Sequence, residues 1–210
     1  MSNLTLHPLW HTFMPTYERS VGVVTLILSA FAFYLMLSKT PQTAKPFAKY
    51  LMLLQASITL VDIDYGFLYC PISLFPIPGD LCYGILCTWC GFTGHAGMVL
   101  MCFALSGVGI SIVYCFHFKY VQIGHICGKN SLYSARHVVF RIAILAMYVL
   151  PCLLQIANYR MLAGGPQMVK TEFPSLYYLF ENPEYHAFAY DQTMFPEYEL
   201  VLLVLCVVVS

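Results

Sequence analysis

Apolar residues fall into long unbroken runs along this chain, not into the alternating or three-to-four spacing of a half-exposed element. Ser20–Leu37 carries no charged residue and is bracketed by Glu18-Arg19 and Lys39. Tyr50–Leu68 is interrupted by Asp62 and Asp64, and Pro71, Pro76 and Pro78 follow it. Leu81–Phe116 has no charge at all, and Val138–Tyr159 has Arg141 near its start and Pro151 inside. An apolar helix of about 20 residues spans the hydrocarbon core of a bilayer, so the pattern predicts four spans, at 20–37, 50–70, 81–116 and 138–159. The third is too long for one perpendicular helix and too short for two spans with a turn, which predicts one long tilted helix. Pro151 is tolerated because neighbouring helices resatisfy the freed carbonyl. Leu200–Val209 is too short to cross and reads as a partial fifth span at 200–210. The predicted fold class is all-α, a polytopic membrane helix bundle.

Composition agrees. The chain of 210 residues is 60% apolar and 10% charged, against about 45–50% and about 25% for a soluble domain. Ten basic and ten acidic side chains cancel, so no global basic field exists for nucleic acid. The first run has no basic leader and no small-residue cleavage pattern, unlike a cleaved signal peptide.

The positions of the charges say more than their sum. Lys39, Lys45 and Lys49 follow the first span, and Lys119, Lys129, Arg136 and Arg141 lie between or at the third and fourth. No acid occurs in either segment. The positive-inside rule makes 38–49 and 117–137 cytoplasmic loops. The other side carries Arg19, Arg160 and Lys170 against Glu18, Asp80, Glu172, Glu181, Glu184, Asp191, Glu197 and Glu199. The N-terminal arm, 1–19, is then outside, as are 71–80 and the aromatic, acidic segment 160–199. Asn3-Leu4-Thr5 is a glycosylation acceptor that fits an outside N-terminus.

Few residues suggest chemistry, and no catalytic, cofactor or metal site is predicted. Asp62 and Asp64 are intramembrane carboxylates, which cost about 2.5–3.5 kcal/mol to insert. They diverge by about 200° on a helix, so one is expected to face the bundle centre and the other a neighbouring helix or the outer half of the span. Either is a structural hydrogen-bonding group, an ionic or conformational switch, or a direct ligand contact. His95, between Gly94 and Ala96, joins them as an intramembrane polar or switch candidate, expected to be a packing residue rather than a ligand contact. Small residues from Gly91 to Ser111 suggest close helix approach in the third span. Cys87-Thr88-Trp89-Cys90 is a C-x-x-C pair, which admits a redox motif.

One stretch carries a family pattern. Thr40-Pro41, Lys49, Leu51 and Leu54-Gln55 lead into the second span, then Asp62, Pro71, Leu74-Phe75-Pro76 and Gly84 follow. This stretch resembles the nematode chemosensory seven-transmembrane receptors of serpentine classes I and H. The class I form is closer, since Tyr114-Cys115-Phe116-His117-Phe118-Lys119 stands where class H carries a Glu-Asn-Arg-Tyr-like element. The resemblance implies a receptor in the plasma membrane, of a sensory cilium, coupling an external small-molecule ligand to a heterotrimeric G protein. It would place the ligand in the outer half of the bundle, under residues 160–199, and it matches Asp62, not Asp64, to the family aspartate. Residues 160–199 contain no Cys, so the disulfide that ties the third span to this loop in many rhodopsin-like receptors does not form. The Asp-Arg-Tyr-like triplet after the third span is also missing. Against a seven-span family, the chain reads as an incomplete receptor, truncated after the fourth span and not signalling alone. Two other readings are a four-helix thiol oxidoreductase using Cys87 and Cys90, and a non-signalling scaffold that dimerises with receptors.

Overall fold

A computed structural model describes residues 8–75, 77–126 and 135–191. Asn3, Pro76 and the partial fifth span at 200–210 lie outside the described residues. Among the described residues, four helices are long and apolar enough to cross a membrane: Leu9–Ser38, Gln42–Leu68, Gly94–Gly124 and Val138–Ala163. They form an all-α bundle in which α1 (Pro8–Ser38), α2 (Lys45–Ile63), α4 (Gly94–Ile126) and α5 (Ala135–Ala157) run alternately up and down.

The helices outrun the predicted boundaries. Much of the arm expected over 1–19 is helical, since residues 8–19 belong to α1. The turn expected over 38–49 ends early. Pro41 opens a 3₁₀ turn at Gln42–Ala44, and α2 starts at Lys45 with Pro46 in its first turn. In the segment expected as a loop at 117–137, residues 117–126 belong to α4 and residues 135–137 to α5. As expected, α5 runs through Pro151.

The largest correction concerns the third span. No single helix covers 81–116. Residues 71–93 instead fold into strands β1 (Pro71–Ser73) and β2 (Gly79–Cys82), a one-turn helix α3 (Ile85–Thr88) and a reversal before α4. Two glycines explain the break. The Gly84 N–H bonds the Tyr69 carbonyl at 2.9 Å, and a Cβ at Gly84 would collide with the Leu68 backbone. Gly91 takes a φ of 68°, a left-handed conformation open to glycine at no steric cost. A hydropathy run registers neither event, because the whole stretch is apolar whichever way it folds.

The segment expected as a loop at 160–199 is folded too, as far as Asp191. After a 3₁₀ continuation of α5 come α6 (Gly165–Glu172), α7 (Tyr178–Glu181) and β3 (Ala187–Ala189). The strands form one antiparallel sheet in the order β1-β2-β3, with Ile72 opposite Leu81 and Asp80 opposite Phe188. Beneath it lies the best-buried apolar cluster, including Ile72, Leu74, Leu81, Val169 and Leu179. Leu81 and Leu179 are fully buried, each contributing about 1.5–3 kcal/mol relative to exposure.

Within the bundle, small and polar side chains join the spans. Gln55 donates to the Ser29 hydroxyl across α1 and α2, and the Ser57 and Ser111 hydroxyls meet at 3.1 Å across α2 and α4. Gly22 and Gly66 face each other where α1 passes the end of α2. Of the expected small-residue surface, Gly94 and Gly97 lie against Phe188 and Tyr69, and Gly107 lies against Ser57, while Gly91 and Gly109 meet nothing within 4 Å.

Candidate functional site

The sheet end of the bundle carries a polar network around Tyr190, a side chain only 7% exposed. Its hydroxyl lies 2.8 Å from Nδ1 of His95, at the start of α4, and accepts from Gln155 Nε2, near the end of α5, at 2.8 Å. Asn158 donates to Gln155 Oε1. The Tyr159 ring tilts against His95 at 5.6 Å. One tyrosine just past β3 thus bridges two spans. Hydrogen-bonded polar groups in such a low-dielectric setting rigidify their surroundings.

A second pair lies alongside. The Tyr69 hydroxyl donates to Asp80 Oδ2 at 2.8 Å. Burial, with Asp80 nearby, pushes the Tyr69 hydroxyl well above the usual phenol range, so it stays a proton donor. Asp80 makes no ion pair and its Oδ1 accepts no hydrogen bond among the described residues.

Between these groups opens a cleft of about 330 Å³. The hairpin, with Ser73, Phe75 and Asp80, forms one wall. Met98 of α4 forms another, and Gln155, Asn158 and Tyr190 close it toward α5. This is the lower end of the volume range for small-molecule sites, and its mixture of apolar walls and a few convergent polar groups is typical of them.

Cysteine chemistry differs from the sequence expectation. Cys87 is bonded not to Cys90 but to Cys82, with Cα atoms 6.1 Å apart. The turn of α3 carries Cys87 back beneath β2, while Cys90 is an exposed free thiol. The C-x-x-C motif is therefore not a dithiol unit, which removes the basis of the oxidoreductase reading. Cys70 is fully buried, takes a left-handed φ of 47°, and donates its thiol proton to Glu18 Oε2 at 3.0 Å. Burial, reinforced by that carboxylate, pushes the thiol up to about 12.

The two intramembrane acids differ in burial. Asp62 is half-buried and makes no hydrogen bond among the described residues. Asp64 is 0% exposed, at the start of a π-helical turn (Asp64–Leu68), and neither carboxylate oxygen has a hydrogen-bond partner among the described residues. Such turns occur often at functional sites. The family-pattern residues scatter. Thr40 and Pro41 make the turn before α2, Lys49 is exposed on α2, and Gln55 lies between spans. Pro71 opens β1, and Gly84 permits the turn into α3. Of the predicted residues, only His95 belongs to the network at the cleft.

Asp80, Gln155, Asn158 and Tyr190 were missed. Gln155 and Asn158 had a signal: two amides three residues apart, on one face, at the end of an apolar span. Asp80 registered only as one of the acidic charges, and Tyr190 is one aromatic among many.

The family model described as serpentine type 7TM GPCR chemoreceptor Sri matches residues 8–210. Comparison with curated proteins and with solved structures finds no match.

Proposed function

From the chain's membership of the serpentine Sri family of 7TM GPCR chemoreceptors, we propose that it captures an external small molecule in the cleft between the hairpin and the polar ends of α4 and α5. The single observation behind this reading is the convergence of Asp80, Gln155, Asn158 and Tyr190 on one cavity at the sheet end.

Two observations support placing that end outside the cell, with the N-terminus. Lys39, Lys45, Lys49, Lys119 and Arg141 belong to the opposite end, by chain order, as the positive-inside rule requires of a cytoplasmic face. The Cys82–Cys87 disulfide sits at the sheet end, and disulfides persist in oxidising, extracytoplasmic surroundings. The protein then resides in the plasma membrane, in a sensory cilium by analogy with its family. Its cytoplasmic partner is a heterotrimeric G protein.

Asp64 is the proposed switch. A buried carboxylate without partners costs stability, and such costs concentrate where a structure must change state. On this reading the four described spans suffice for ligand capture and do not alone drive nucleotide exchange on a G protein. A ligand screen on cells expressing the chain tests this. Saturable binding weakened by Met98→Trp, which fills the cleft, supports it, and binding indifferent to that substitution refutes it.

A further inference from the structure

Given the cleft as the ligand site, as proposed above, we infer that its ligand is a small organic amine whose ammonium group pairs with Asp80. Among the described residues, Asp80 is the only carboxylate on the cleft wall, and no basic side chain lines it. One oxygen is engaged by the Tyr69 hydroxyl and the other accepts no hydrogen bond from the described residues. The described basic groups at this end are occupied or exposed elsewhere. Arg19 donates to the Tyr83 carbonyl, Lys170 sits over the Tyr177 ring, and Arg160 is exposed.

A partly desolvated carboxylate with no counter-charge favours a cation and repels an anion. An ammonium offers three donors and no acceptor. Asn158 lies on the same cleft, and its amide oxygen likewise accepts no hydrogen bond from the described residues. Asp80 Oδ1 and this oxygen can together take two of the three protons. The remaining wall suits an apolar body, since Phe75, Ile77, Pro78 and Met98 line it. The Phe75 and Tyr190 rings add faces that attract cations. The volume of about 330 Å³ equals that of about eleven waters in the liquid, which suits a one-ring amine and excludes a large lipid or peptide. No described lining residue offers the positive charge that a carboxylic acid or phosphate would need.

The test uses the whole chain in lipid nanodiscs and three probes on one skeleton: phenethylamine, 2-phenylethanol and phenylacetate. Affinities are read by ligand-observed NMR. The amine is expected to bind about 10-fold or more tighter than the alcohol, as a charge-assisted hydrogen bond warrants, with the acid weakest. Asp80→Asn keeps an acceptor for Tyr69 and should erase the amine's advantage while leaving the alcohol's affinity unchanged. Asn158→Asp, a gain of charge that does not touch the Tyr69–Asp80 bond, should tighten the amine and weaken the acid. Met98→Trp should weaken the amine and the alcohol alike. Equal binding of amine and alcohol, both lost in Met98→Trp, would overturn the amine assignment and leave the cleft standing. An amine preference that survives Asp80→Asn would also overturn it. Amine binding unaffected by Met98→Trp would remove the cleft as the ligand site altogether.

Discussion

His95 and Tyr190, ninety-five residues apart, meet through a 2.8 Å hydrogen bond between Nδ1 and the phenol oxygen. The contact ties the end of the β3 segment to the first turn of α4. Many rhodopsin-like receptors make such a tie with a disulfide, but here it is a hydrogen bond supported by strand pairing, with Asp80 opposite Phe188. Tyr190→Phe deletes the oxygen that His95 and Gln155 share and should cost about 1–3 kcal/mol. A thermal melt of the purified chain in nanodiscs checks this, and an unchanged midpoint would mean the bridge carries no stability.

Cysteine reactivity should follow the observed pairing rather than the motif. Thiol alkylation of the native chain followed by peptide mass spectrometry is expected to modify Cys90 and to spare Cys82 and Cys87 until reduction. Removing the bridge with Cys82→Ser and Cys87→Ser should cost about 2 kcal/mol, the loop-closure value for so short a loop. Recovery of a Cys87–Cys90 linkage would reverse this account.

Cys70 should also resist alkylation near neutral pH, because the buried thiol, raised from 9.0 to about 12, keeps its proton there. The linkage has a definite sign. The folded chain holds this proton more tightly than the unfolded chain, so the stabilisation is complete below pH 9.0 and is lost as pH rises through about 12. Cys70→Ala should flatten the alkaline limb of a stability profile, and an identical limb would assign that loss to other groups.

Asp64→Leu should raise thermal stability by about 1–3 kcal/mol by removing a buried carboxylate without partners. If Asp64 is retained as a switch, the same variant should respond more weakly to ligand when assayed in a receptor that signals. A stability loss would show that the carboxylate is anchored after all.

Glycines supply a matched pair. Gly84→Ala should destabilise by about 1–3 kcal/mol, since the new methyl meets the Leu68 backbone. Gly109→Ala, with nothing within 4 Å, should stabilise α4 by about 0.5–1 kcal/mol, the helix-propensity difference. Equal effects at both positions would contradict the packing described.

The bundle was legible because burial in lipid imposes a one-dimensional signal: long apolar runs, with charge confined to the gaps. That signal recovered α1, α2 and α5 to within a turn or a few. It misread 81–93, where Gly84, Gly91 and the Cys82–Cys87 bond turn an apolar stretch into hairpin end, short helix and reversal. The cleft was far less legible. Its walls come from four separated segments, and only their folding together gives Asp80 and Tyr190 a meaning that neither has in the sequence.

The sheet end as an outward-facing, ligand-capturing end is the central claim, and thiol labelling of intact cells tests it most directly. In a Cys90→Ser background, Glu184→Cys should react with a membrane-impermeant maleimide, and Lys39→Cys should react only after permeabilisation. Labelling of Lys39→Cys on intact cells, with Glu184→Cys protected, would invert the molecule and contradict the account.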